Sequence, residues 1–390
     1  MKALKYILSF ICASLVHTEV IDLTVLIHGT VGSICIMHHR GLAHKNWADL
    51  ADRWGAQWQQ VYRRQPILKQ FWPMQDFGLQ LLDHTDLTKW HAGNASVDDY
   101  KLAIYPIALS YDALHQNQNK KMYATFGWTG VLHDELRTIA SEELYVQLCN
   151  LKDVITKQGD ELKIHIVAHS HGGNVALKLV GQESNFNNKL AIETLVLWGT
   201  PIQEETIYFA ESPFFKTIIN CFSPYDIIQK GDGFSTKNGK SKQRLHDKID
   251  CHVIQKRNNI RRVDLELQVN GSSMQVDHAN LWILGKSQRL SPEICHLPYM
   301  VFTPALKELI SDCDSVHMHA NLLVDSNRVV LELHDKKTGL KKLSQDFRQI
   351  VDVIKQQIIP LWNPDEKHTG MIFSKANPLN FLFKRNKPGI

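Results

Sequence analysis

The sequence predicts an α/β fold: a mostly parallel sheet covered by helices on both faces. Three observations carry that expectation. Short β-rich apolar runs alternate along the chain with stretches of helical period. The runs are predominantly apolar, as strands buried on both faces are. Several stop abruptly at small or polar residues, as at His28-Gly29-Thr30 and Gly199-Thr200-Pro201.

In chain order, Val20 to Ile27 reads as the first buried strand and Tyr123 to Trp128 as a short second one. Asp134 to Lys157 reads as a helix, since Leu136, Ala140, Leu144, Leu148, Leu151 and Ile155 form one stripe. Leu162 to Ala168 is a strand, His169-Ser170-His171-Gly172-Gly173 interrupts it, and Asn174 to Val180 continues as an apolar helix. Thr194 to Trp198 and Thr217 to Phe222 are further strands, the latter followed by Ser223-Pro224-Tyr225-Asp226. Gly231 to Arg262 is polar and basic and reads as an exposed loop. Val263 to Val269 alternates as a strand does, and Asp277 to Leu284 reads as the start of a helix. Beyond Asp312 the pattern loosens, with a strand at Arg328 to Leu333. Leu343, Phe347, Ile350, Val351, Ile354 and Ile358 form an amphipathic helix ended by Pro360, and a flexible tail runs from Asn363.

The domain organisation expected from this pass has four parts. Residues 1–18 read as an export signal: Met1-Lys2-Ala3-Leu4-Lys5 is basic, Tyr6 to Val16 is apolar, and Cys12-Ala13-Ser14 offers small residues for cleavage. Residues 19–310 carry the main domain, residues 31–119 form a long insertion inside it, and residues 311–390 form a C-terminal extension. The insertion carries Trp47, Trp54, Trp58, Trp72 and Trp90, with Trp47, Leu50, Ala51, Trp54, Trp58 and Tyr62 on one helical face. Export leaves six cysteines, an even number that permits disulfides without requiring them.

Composition narrows the function classes. With 390 residues, 44% hydrophobic and 22% charged, the chain reads as globular. A net charge of +4 gives no concentrated basic face for nucleic acid. No CxxC pair is present, and His38, His39 and His44 lack a matching carboxylate, so neither a metal nor an organic cofactor is expected.

The segment that carries chemistry is Ile164-His165-Ile166-Val167-Ala168-His169-Ser170-His171-Gly172-Gly173-Asn174. A strand feeds a sharp turn and the turn feeds a helix, with Ser170 at the apex. Ala168 and Gly172 keep both sides of the turn small, and the helix N-terminus favours negative charge developing beside the hydroxyl. Serine needs a base to take its proton. Asp226 follows the strand at Thr217 to Phe222 and is favoured as the acidic partner over Asp232, which lies in Gly231-Asp232-Gly233. His278, between a strand and a helix, is favoured as the base. His296, His317 and His319 also lie downstream, and His319-Ala320-Asn321-Leu322 repeats the letters of His278-Ala279-Asn280-Leu281. His169 and His171 flank the serine too closely to turn an imidazole back on it, so they read as pocket or packing residues.

Over about residues 20 to 300 this arrangement resembles the lipase and esterase branch of the α/β-hydrolases. Ala168 stands where the usual G-x-S-x-G elbow has its first glycine, as in some lipases of that fold. Phe126-Gly127-Trp128-Thr129-Gly130 is similar to a segment preceding the elbow in some bacterial lipase-like proteins. The resemblance implies a Ser170–His278–Asp226 triad and an oxyanion hole made by the N–H groups of Thr30 and His171, with His28, Gly29 and Gly172 in support. It also implies an ester or lipid substrate. The 31–119 insertion departs from a minimal hydrolase; leaving from the oxyanion loop, it reads as a lid with aromatic residues for a lipid interface and peripheral membrane contact, or as a subdomain whose tryptophans pack inward. The alternative is a hydrolase-fold binding protein, exported to meet a host partner without turnover.

Overall fold

The computed structural model describes residues 18–30, 77–82, 104–114, 119–186, 189–232, 241–258, 260–274, 276–278, 280–282, 298–311, 313–335, 338–349 and 351–352. The export signal, the tryptophan face, His38, His39, His44, His296 and the tail lie outside them.

The apolar runs form strands because their β-branched and aromatic residues pack on both faces of a pleated surface. The strands are β1 (Val20–Ile27), β2 (Gly78–Leu81), β3 (Lys120–Gly127), β4 (Glu161–His169), β5 (Ile192–Trp198), β6 (Phe215–Phe222), β7 (Arg261–Val269), β8 (His317–Val324), β9 (Val329–His334) and β10 (Lys341–Leu343). They make one ten-stranded sheet in the order β10-β9-β8-β7-β6-β5-β4-β1-β3-β2. From β3 to β8 every neighbour is parallel. β2, β9 and β10 pair antiparallel, so the sheet is mixed. The chain leaves β1 for β3 on one side and then returns to β4 on the other. That reversal opens a crevice at the carboxyl ends of β1 and β4.

The helices cover both faces. They are α1 (Ile104–Leu114), α2 (Asp134–Lys157), α3 (His171–Leu177), α4 (Leu179–Gln182), α5 (Glu204–Ile207), α6 (Ile227–Gly231), α7 (Cys251–Asn258) and α8 (Thr303–Ser311). On one face, α1 and α8 pack Ile107, Tyr111, Leu306 and Ile310 against Leu26, Val167, Val196 and Ile219. On the other, α2 and α3 pack Leu144, Leu148, Val175 and Leu177 against Val25, Ile166, Leu195 and Ile218. No helix among the described residues is long and apolar enough to cross a membrane.

Four expectations need correction. Residues 231–262 are not simply an exposed loop: Leu245, Ile249, Cys251 and Ile254 are buried, and α7 packs beside β7. These apolar positions are spaced among lysines and asparagines, which masks them in composition. Residues 278 and 280–282 are in turns, and 277 in irregular backbone, rather than in a helix. There, the Asp277 carboxylate takes the Asn280 N–H, and the carbonyls of Asn280 and Leu281 accept from Tyr299 and Met300. β8, β9 and β10 carry the sheet on to Leu343, past residue 310 where the main domain was expected to end. Finally, β2 and α1 lie within the 31–119 segment expected to form a lid, yet they belong to the sheet and its cover.

Two other features bear on chemistry. Cys149, Cys221, Cys251 and Cys313 are buried free thiols. Lys307 of α8 lies against the sheet with Nζ 3.1 Å from His165 Nδ1, and burial pushes its ammonium down to about 8.

Candidate active site

Five adjacent parallel strands bring their carboxyl ends together at one rim: β1, β4, β5, β6 and β7. β1 ends on His28 and Gly29, β4 on Ser170, β5 on Gly199 and Thr200. β6 leads to Asp226 and β7 to His278.

Ser170 has φ 50° and ψ −132°, a left-handed conformation that costs a residue with a Cβ about 1–3 kcal/mol. Its surroundings hold it there. The Ser170 N–H donates to the Trp198 carbonyl at 2.9 Å, and its own carbonyl accepts from Gly173 N–H at 3.0 Å. The loop after β1 is pressed against the same turn: a Cβ on Gly29 would stand 2.6 Å from Ser170 Cβ. Gly172 is required for a similar reason, since a Cβ there would meet the His28 carbonyl oxygen at 2.5 Å. The start of α3 can therefore close on the end of β1 only without a side chain. His171 is the first residue of α3, where a helical N–H has no intrahelical acceptor. Thr30 ends the described part of the β1 loop, and its Oγ1 is buried without a hydrogen-bond partner among the described residues.

Asp226 and His278 are joined. Asp226 Oδ2 lies 2.7 Å from His278 Nδ1. Asp226 is fully buried, and its Oδ1 accepts the Gln229 N–H at 2.9 Å, which makes it the N-cap of α6. The carboxylate therefore cannot rotate away from the imidazole without breaking the cap. With Nδ1–H donating to Asp226, the Nε2 lone pair of His278 is left free to accept a proton. Gly199, at φ +59°, lets the β5 loop pass beneath this pair, where a Cβ would lie 3.0 Å from Asp226 Oδ2 and 3.1 Å from His278 Nδ1.

The flanking histidines have other partners. His169 stacks on Trp282 at 5.2 Å, touches the His278 ring at 4.5 Å, and places Nε2 3.1 Å from the His278 carbonyl oxygen. Burial, and then the neighbouring His278, hold it well below the usual imidazole range, so it is neutral. His171 places Nε2 3.6 Å from Asp232 Oδ1, and burial lowers it despite that carboxylate. His28 is buried beside Trp128: its Nε2 accepts the Trp128 backbone N–H at 3.3 Å, and its carbonyl accepts the indole N–H at 2.8 Å. It braces the loop that carries Gly29.

The competing assignments separate on contacts. Asp226 meets His278, whereas Asp232 meets His171. His319 lies within β8, against Gln268 and Glu266, and not in a loop at the rim. Residues that the sequence reading passed over are Gln229, Gly199 and Trp282. Gln229 gives its backbone N–H to the Asp226 cap and donates its side-chain amide to the Thr200 carbonyl at 2.7 Å. Asp226-Ile227-Ile228-Gln229 has the spacing of a capping box, the signal that would have revealed it.

The arrangement has the parts for proton transfer from a serine hydroxyl to an oriented imidazole. Comparisons of the chain with protein-family models, curated proteins and solved structures found no match.

Proposed function

We propose that the protein is a serine hydrolase of the α/β-hydrolase fold, lipase- or esterase-like, cleaving carboxylic esters through an acyl-enzyme. The observation that carries this reading is the Asp226–His278 pair, its carboxylate fully buried, at the same rim as Ser170 on its strained turn. The chain order Ser, Asp, His and the strand–turn–helix at Ser170 are those of that fold.

Ser170 Oγ attacks the acyl carbonyl carbon as its proton passes to His278 Nε2. Asp226 stabilises the imidazolium and keeps Nδ1 protonated. The N–H groups of Thr30 and His171 receive the negative charge on the carbonyl oxygen. The alcohol leaves with the proton from His278, and water, deprotonated by His278, then releases the acid and regenerates the serine. The neutral His169 and His171 put no permanent positive charge in competition with the forming imidazolium. Tyr225, Ile227, Ile228 and Met274 are exposed in the segments after β6 and β7, an apolar rim that supports a lipid-like acyl chain. The basic start and apolar run of residues 1–18 support export.

The test is labelling by a fluorophosphonate together with hydrolysis of a series of esters of increasing chain length. Labelling of the unmutated chain and its loss in Ser170→Ala are expected. Equal labelling of that variant, or no labelling and no turnover in the unmutated chain, rejects the proposal in favour of a binding protein.

A further inference from the structure

β7 and β8 run parallel in register, so alternate residues of both strands stand on one face. Asp264, Glu266 and Gln268 lie beside His317, His319 and Asn321, and His334 of β9 pairs with His319. In a strand, the pattern His317-Met318-His319 puts both imidazoles on the same side, about 7 Å apart along the chain before the side chains converge. They do converge: donor atoms of Glu266, His317 and His319 lie within 4.8 Å of one another. Glu266 and His317 are half-buried and His319 lies at the border of burial, open enough to admit an ion and enclosed enough to strip part of its water.

The surroundings suit a bound cation. His317 Nδ1 is buried without a hydrogen-bond partner among the described residues. The His246 ring stands 5.0 Å from that of His317. Glu266 Oε1 accepts from Ser273 Oγ at 3.0 Å, and the Gln268 amide lies 3.1 Å from His319 Nδ1. Contacts of this kind fix the orientation of metal-binding side chains. His246, held by Asp264, brings a further imidazole to the edge of the cluster.

We infer that Glu266, His317 and His319 form a binding site for a divalent transition-metal ion of the zinc class. Two imidazoles and one carboxylate suit zinc, with the remaining position taken by water. Calcium and magnesium, which demand all-oxygen shells, are disfavoured. The site is separate from the Asp226–His278 pair and stands independently of the proposed activity. It does reach the loop that carries His278, because Glu266 holds Ser273 in that loop and Ser273 in turn receives a bond from Ser223. An ion on Glu266 therefore ties β7, β8 and this loop together and acts as a brace.

The experiment uses the full, untagged chain after treatment with a chelator and exhaustive dialysis, titrated with zinc by calorimetry. Other histidines in the chain can also take zinc, so the comparison between variants decides. One equivalent is expected to disappear in the His317→Ala/His319→Ala double variant, and Glu266→Gln is expected to weaken that equivalent by about 10-fold or more. Unchanged stoichiometry and affinity in the double variant would overturn the assignment. Should that variant fail to fold, the unmutated chain supplies the measurement. Zinc should protect His317 and His319 from diethyl pyrocarbonate, as read by peptide mass spectrometry. Equal modification with and without zinc would overturn the assignment as firmly.

Discussion

The two halves of the sheet solve burial differently. From β3 to β5 both faces of the strands are packed under helices: β4 sends Ile164, Ile166 and Ala168 toward α2 and α3, and Val167 toward α1 and α8. From β7 to β9 only one face is apolar. Leu265, Leu267, Met318, Ala320, Leu331 and Leu333 join the core under α8, while the opposite face carries Asp264, Glu266, Gln268, His317, His319 and Glu332. The doubly covered half gives the rim at Ser170 a rigid base. Beyond Asp264, which residues 245 and 246 cover, the singly covered half gives up apolar packing on one face and gains a surface of donor atoms. Both candidate sites thus follow from how many faces of a strand the chain buries.

The largest expected effect is chemical and belongs to the doubly covered half. Ser170→Ala and His278→Ala should each lower kcat for ester hydrolysis by about 10⁶, and Asp226→Asn by about 10⁴. Asp232→Asn should stay within about 10-fold of the unmutated chain, since it contacts His171 rather than the pair. A larger loss for Asp232→Asn than for Asp226→Asn, in steady-state kinetics, would exchange their roles.

Stability should separate the halves next. Ile166→Ala opens a cavity between fully packed layers and should cost about 2–5 kcal/mol in urea unfolding. Val330→Ala, half-buried on the polar face of β9, should cost less than about 1 kcal/mol. Comparable losses would mean that the polar face is packed as tightly as the core.

Lys307 offers a pH test within the doubly covered half. Its folded value of about 8 lies below the ordinary 10.5, so folding disfavours its charged form. Below pH 8 the lysine is charged in both states and the full penalty applies. Between about 8 and 10.5 the unfolded chain binds more proton, so stability rises with pH, and above 10.5 the penalty is gone. The shift corresponds to about 3 kcal/mol. Lys307→Met should therefore stabilise the protein at pH 7 by about 1–3 kcal/mol, part of the gain being lost with the His165 contact, and the gain should fade toward pH 10.5. A gain independent of pH, measured by urea midpoints, would mean that the ammonium is not desolvated. The smallest effect belongs to the singly covered edge. Lys341 Nζ lies 3.3 Å from Glu332 Oε1 but the lysine is largely exposed, so Lys341→Ala should change stability by less than about 0.5 kcal/mol.

Legibility in the sequence followed the same division. β1, β4, β5 and β6 were readable because strands buried on both sides are predominantly apolar and rich in β-branched residues, and Asp134–Lys157 was readable because its stripe holds a helical period over many turns. Ser170 follows β4, Asp226 follows β6 and His278 follows β7, and of the three the Asp226 carboxylate and the His278 imidazole meet. β8 was obscured because its polar residues alternate with apolar ones, and His319-Ala320-Asn321-Leu322 was weighed as a catalytic loop instead of a strand. The spacing of His317 and His319, read with period two, held the signal for a shared face. The turn at Asp277 to Trp282 was unreadable locally, because its carbonyls are satisfied by Tyr299 and Met300, far along the chain.

The outermost strands described, β2 and β10, have a consequence for the behaviour of the protein at high concentration. A wide sheet with two long bare margins invites other chains to add on, the first step toward fibres. Here β2 spans only Gly78–Leu81, and the Leu79 N–H is already taken by Gln147 of α2. At the other margin β10 spans only Lys341–Leu343 and sets two ammonium groups along the edge. Each margin is thus too short, too occupied or too charged to template a neighbour, which lets a sheet of this width exist without seeding its own aggregation.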